Sequence, residues 1–219
     1  MKKNGFTLIE MLVVIAVFAV ILSIVIANYP EMRRQLALSR ATHQLMQDLR
    51  IAQEMGMSAF KVDKYESCMV SPKTALEASI PRMVFSALSN PTAKGYGVYI
   101  DLKDKDTKKK YKVYADTLAD ITPVCLDPKD PCWGYYNLGD CVYRTVGIQE
   151  QGIIIKEIKN IEVGKTELSI NFQPPNPDTL IQWLAEGQDH IEIVLAVENY
   201  PDKTKTISVN KSGLIEILH

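Results

Sequence analysis

Histidine is scarce in this chain of 219 residues: His43, His190 and His219 stand far apart. None has a nucleophile or a metal-ligand spacing beside it, so no catalytic constellation is visible and neither an enzyme activity nor a cofactor is expected. Net charge is scarce too, with 25 Lys and Arg against 26 Asp and Glu, a balance of −1. That removes the electrostatic reason for a nucleic-acid or anionic-lipid partner across the whole surface. Cysteine is limited to Cys68, Cys125, Cys132 and Cys141, none of them at the Cys-x₂₋₄-Cys spacing of structural zinc. No internal repeat is present. Apolar residues make up 47%, which supports a packed core and argues against disorder. The length suits one sizeable domain plus an extra element.

Charge is missing altogether from residues 11–30, and between 11 and 27 the only polar residue is Ser23. As a helix at ~1.5 Å per residue, residues 6–27 reach about 33 Å and span a hydrocarbon core of ~30 Å. Lys2 and Lys3 precede the run. An ordinary secretory signal fits in part, because Val25-Ile26-Ala27 is an acceptable cleavage site behind a basic start. The run is long for an h-region of ~7–15 residues. Glu10 suits neither a signal nor a plain anchor, because a carboxylate costs about 2.5–3.5 kcal/mol at a bilayer centre and less near an interface. It either snorkels to the headgroups or has a partner.

Gly5-Phe6-Thr7-Leu8-Ile9-Glu10, behind the short basic leader Met1-Lys2-Lys3-Asn4, resembles the type IV prepilin signature. The resemblance implies a leader of residues 1–5, cut after Gly5 by the prepilin peptidase. It implies N-methylation of Phe6 and makes Glu10 the assembly glutamate. It also implies a cytoplasmic N-terminus, a single pass through the inner membrane and a C-terminal domain outside the cytoplasm. The implied partners are other pilins or pseudopilins, met through the N-terminal helix, and an inner-membrane assembly platform. Chemically, cleavage would leave a free amine on Phe6, one helical turn before Glu10 or at a staggered height on a neighbouring subunit. An acid in that first turn is favoured by the helix dipole. Arg33 and Arg34, just past the run, weaken the positive-inside signal.

Pro30 predicts a kink or break near Tyr29. Beyond it Leu38, Thr42, Leu45, Leu49, Ala52 and Gly56 recur every three or four residues, the mark of an amphipathic helix ending near Met57. Arg40, Gln44, Gln47, Asp48, Arg50 and Glu54 fill its other side, with His43 there or at its edge. The remainder reads as strands. Tyr96, Val98 and Ile100 alternate, as do Tyr111, Val113 and Ala115, around the charged tip 101–110 of a hairpin. Further strands are expected at Ile153-Ile154-Ile155, at Leu168, Ile170 and Phe172, and at Ile191, Ile193, Leu195 and Val197. After a turn at Asn199-Tyr200-Pro201-Asp202 come Ile207 and Val209, a turn at Asn210-Lys211-Ser212-Gly213, then Ile215 and Ile217. The expected fold is α+β and pilin-like, a long N-terminal helix packed on an antiparallel sheet. Its parts are the leader 1–5, a transmembrane or filament-core helix 6–29, an amphipathic helix 30–60 and a β-rich domain 61–219.

Gly95-Tyr96-Gly97-Val98-Tyr99, Ile170-Asn171-Phe172, the helix end Leu49-Arg50-Ile51-Ala52 and the ending from Ile207 to Gly213 more loosely resemble the minor pseudopilin H family (GspH/FimT type). That resemblance implies a minor subunit of a type II secretion pseudopilus or a type IV pilus. The insertion 125–141 does not match it. An outer compartment permits disulfides. One bond is expected among Cys125, Cys132 and Cys141, leaving the third for Cys68, with zinc as the rival. Asp104-Lys105-Asp106 lacks the glycine and the closing glutamate of a calcium loop, with Lys109 and Ala115 in their places. No metal is expected. Lys108-Lys109-Lys110 is the one basic run, but six lysines and four aspartates lie within 101–116. The main reading is therefore a structural filament subunit. The alternatives are a DNA- or surface-binding minor pilin and a secreted enzyme with an ordinary signal peptide.

Overall fold

The apolar run contains no glycine and is followed directly by Pro30, and the computed structural model carries a single long helix through both. It describes residues 7–58, 93–116, 140–174 and 179–218. Helix α1 runs Leu8–Met57 and is unbroken at Pro30. The expected break does not occur. Proline removes one backbone bond, whereas ending the helix there would leave a whole turn of carbonyls unpaired. The chain divides into two units, Met1–Ala37 and Leu38–His219.

The second unit takes the last turns of α1. Leu38, Ala41, Thr42, Leu45, Asp48, Leu49, Ala52 and Gly56 are buried there. All six expected stripe positions are among them, and His43 is exposed on the far side. Asp48 is the correction: expected on the polar side, it is 5% exposed. It lies one turn from both Leu45 and Ala52, on the stripe itself, and its charge is met by partners from the sheet. The Tyr111 hydroxyl donates to Asp48 Oδ2 at 2.5 Å, and Arg144 Nη2 donates to Asp48 Oδ1.

Two antiparallel sheets complete the unit, where one was expected. The strands are β1 (Gly95–Asp101), β2 (Lys110–Asp116), β3 (Cys141–Gly147), β4 (Ile153–Lys159), β5 (Glu167–Phe172), β6 (Thr179–Ile181), β7 (His190–Val197), β8 (Tyr200–Asn210) and β9 (Ile215–Leu218). The first sheet has the order β3-β2-β1-β5-β6 and the second β4-β7-β8-β9. In the expected hairpin, Tyr96 pairs with Ala115, Val98 with Val113 and Ile100 with Tyr111. All six alternating residues are buried. At its tip Thr107–Lys109 forms a short 3₁₀ turn.

Strand β8 begins at Tyr200, inside the segment expected to be a turn. Register jumps from Ala196↔Thr204 to Val197↔Tyr200, so Pro201 falls in a bulge where no ladder bond is demanded of it. Helix and sheets meet closely. A Cβ on Gly56 would stand 2.4 Å from the Phe172 carbonyl oxygen, so only glycine lets α1 approach β5 this way. Gln53 Nε2 donates to the Gly213 carbonyl at 2.8 Å, and Arg50 Nη2 to that of Ile215 at 3.4 Å. Helix side chains thus occupy carbonyls at and just before the short strand β9, one way of blunting a sheet edge.

Candidate processing and assembly site

The described N-terminus starts at Thr7, immediately before α1. Thr7 donates its backbone N–H to Glu10 Oε2 at 2.7 Å and its hydroxyl to the same oxygen at 2.8 Å. Glu10 N–H donates back to Thr7 Oγ1 at 3.3 Å. This is a reciprocal capping box, Thr-x-x-Glu, which satisfies donors that a helix start leaves open. Both bonds to the carboxylate fall on Oε2. The Thr7-Leu8-Ile9-Glu10 spacing carried that signal, and the reading of Glu10 by its cost alone passed over it. Gly5 and Phe6 lie outside the described residues.

Past the cap, α1 presents apolar side chains on every side. Leu8, Ile9, Val13, Phe18, Leu22 and Ile26 are all exposed. None of its most apolar stretch is buried, so α1 is long and apolar enough to cross a membrane. Its few polar groups close on their own backbone. Ser23 Oγ donates to the Ala19 carbonyl at 2.8 Å, and Asn28 Nδ2 to that of Ile24 at 3.0 Å. A helix with its polar groups bonded internally can enter hydrocarbon at low cost.

The other expected sites are dispersed. Cys68, Cys125 and Cys132 lie outside the described residues, and Cys141 opens β3, its backbone opposite Ala115. At the hairpin tip Lys109 Nζ is 2.9 Å from Glu198 Oε2, and Lys103 Nζ is 3.3 Å from Glu167 Oε2. These carboxylates dilute the basic run of Lys108, Lys109 and Lys110 as a phosphate-binding patch. Asp104 N–H donates to Thr107 Oγ1 at 3.0 Å, and Lys108 N–H to the Asp104 carbonyl at 3.2 Å, which makes the segment a self-bonded turn. His190 Nδ1 is 2.7 Å from Asp189 Oδ1. That hydrogen bond holds the Asp189 carboxyl below its usual range. Among the described residues no three His, Cys, Asp or Glu side chains gather as metal ligands.

Residues 1–26 match the family described as the prokaryotic N-terminal methylation motif. The match covers the leader, Gly5, Phe6, the Thr7–Glu10 cap and most of the apolar run. Among solved structures the chain is similar to the type IV minor pilin FimU of Pseudomonas aeruginosa, at 13% identity and a TM-score of 0.39 over 83% of this chain and 88% of that one. A search of curated proteins finds no match.

Proposed function

We propose that the chain is a minor pilin or pseudopilin, a structural subunit of a type IV pilus or a type II secretion pseudopilus. The observation that carries this reading is the N-terminal methylation motif running directly into a helix with exposed apolar side chains. In this reading the prepilin peptidase cuts after Gly5 and Phe6 is methylated. The subunit waits in the inner membrane with its β-rich domain outside the cytoplasm. An assembly platform then moves the helix from lipid into a bundle of like helices, where its apolar faces pack on other pilins or pseudopilins.

Glu10 has a defined part in that transfer. In the lone subunit Thr7 occupies Oε2, so the carboxylate enters the membrane partly satisfied. Oε1 is left for the methylated amine of Phe6 on a neighbouring subunit. In the low-dielectric bundle that pairing sets the axial register, which apolar packing alone leaves loose. Glu10→Ala and Glu10→Gln are the test. Both variants are expected to be cleaved, stable and membrane-bound, yet depleted from sheared filaments. Wild-type incorporation of Glu10→Ala would overturn the role given to the carboxylate.

A further inference from the structure

The end of the apolar run carries a stacked pair of side chains. Tyr29 and Arg33 are four residues apart on α1, hence on one face, and Arg33 Cζ stands 5.5 Å from the Tyr29 ring centroid. Both side chains are exposed. The adjacent arginine differs. Arg34 Nη1 lies 3.8 Å from Glu31 Oε2, and Gln35 Nε2 donates to Glu31 Oε1 at 3.2 Å. Glu31 is thereby engaged by Arg34 and Gln35, while among the described residues no carboxylate pairs with Arg33.

Position along the helix gives the pair its meaning. At ~1.5 Å per residue, Tyr29 lies about 32 Å along the axis from Leu8, one hydrocarbon thickness of ~30 Å. Tyrosine is favoured at that level because its ring is apolar and its hydroxyl wet. A cation on the side away from the cytoplasm runs against the usual charge bias, and an anionic headgroup at the same level would offset its charge. A guanidinium held over a ring presents its planar fork to a phosphate, and Arg pairs with phosphate through two parallel N–H bonds.

We propose that Tyr29 and Arg33 form a binding site for the phosphodiester of an anionic phospholipid at the outer surface of the membrane that α1 crosses. The site fixes the depth of the helix before it is drawn into a filament. It rests on the reading of α1 as a membrane span with its leader inward. The overall charge balance of −1 does not oppose it, because the site is a single local cation.

The experiment uses the full chain in phosphatidylcholine vesicles containing phosphatidylglycerol, with spin-labelled versions of each lipid read by electron paramagnetic resonance. Motionally restricted lipid around the protein should prefer phosphatidylglycerol about fivefold, the effect of one Arg at a charged surface. Arg33→Gln should bring the preference close to one, Tyr29→Leu should lower it, and Arg34→Gln should keep it. An excess of soluble glycerol 3-phosphate should leave it unchanged. Equal loss in Arg33→Gln and Arg34→Gln, no loss in Arg33→Gln, or displacement by glycerol 3-phosphate would each overturn the lipid site. Restricted lipid with no preference in the wild type would overturn the site and leave the span standing. No restricted lipid at all would overturn the span, and with it the subunit reading.

Discussion

Thr7 gives Glu10 Oε2 both its backbone N–H, at 2.7 Å, and its hydroxyl, at 2.8 Å, so the carboxylate of the apolar helix is tied to the helix's own first turn. The expected consequence is that Thr7 and Glu10 can be separated by experiment. Thr7→Val keeps size and branching but removes the hydroxyl. Amide exchange in the first turn of α1 should quicken several-fold in micelles, as for a lost cap, and the span itself should be unchanged. Unaltered exchange in the first turn would mean the capping box contributes nothing.

Gly56 packs against the backbone of Phe172, and backbone yields little. Gly56→Ala adds helix propensity of about 1 kcal/mol, but an added methyl at 2.4 Å from a carbonyl oxygen forces α1 away from β5. Overpacking costs about 1–3 kcal/mol, so the net effect should be a loss of stability. Urea unfolding of the full chain in detergent measures it. A midpoint equal to or above that of the wild type would show that the helix moves freely.

Asp48 joins α1 to β2 and β3 through Tyr111 and Arg144. Tyr111→Phe takes the donor from one oxygen of the buried Asp48 carboxylate, and Asp48→Ala takes that acceptor from the Tyr111 hydroxyl, which keeps Gln44 beside it; each should cost about 1–3 kcal/mol. Arg144→Gln should cost less than Asp48→Ala, because half of the arginine side chain is in water, where ion pairs are screened. The same unfolding midpoints rank the three variants. Arg144→Gln as the worst of them would contradict this order.

Burial raises the Tyr96 hydroxyl from 10.0 to about 12, with the neighbouring Tyr143 adding to the shift. Burial also raises Tyr111, helped by its bond to the Asp48 carboxylate. The native state therefore holds these protons at a pH where the unfolded chain has lost them. The stability concerned is fully present below about pH 10, the ordinary tyrosine range, and declines as pH rises above it. For Tyr96 the decline runs from pH 10 to about 12. Unfolding midpoints across that range should fall less steeply in Tyr96→Phe. An identical slope would contradict the assignment.

Two disulfides are expected among Cys68, Cys125, Cys132 and Cys141, since the domain is proposed to fold outside the cytoplasm. Each would contribute about 2–4 kcal/mol. Thiol labelling of the denatured, unreduced protein should find no free thiol. Four free thiols, or stoichiometric zinc, would contradict it.

Much of the fold was legible because period and burial coincide. The stripe from Leu38 to Gly56 keeps helical spacing, and the alternating residues of β1 and β2 pair directly with one another. Strand β3 was missed because Val142, Tyr143, Arg144 and Thr145 do not alternate cleanly, and β6 because its three residues are too few to show a period. Asp48 was misplaced because a carboxylate reads as solvent-facing until its partners, 63 and 96 residues away, are brought to it. At the N-terminus the motif was plain, and the Thr-x-x-Glu spacing also carried the bond from Thr7 to Glu10, which a reading by hydropathy and cost alone does not mark.

The central claim concerns the peptide bond after Gly5. Mass spectrometry of the N-terminal peptide from membranes of the native host reads it directly. The account predicts an N-terminus at Phe6, heavier by about 14 Da for one methyl group. An N-terminus at Asn28, as ordinary signal cleavage after Ala27 would leave, would contradict it.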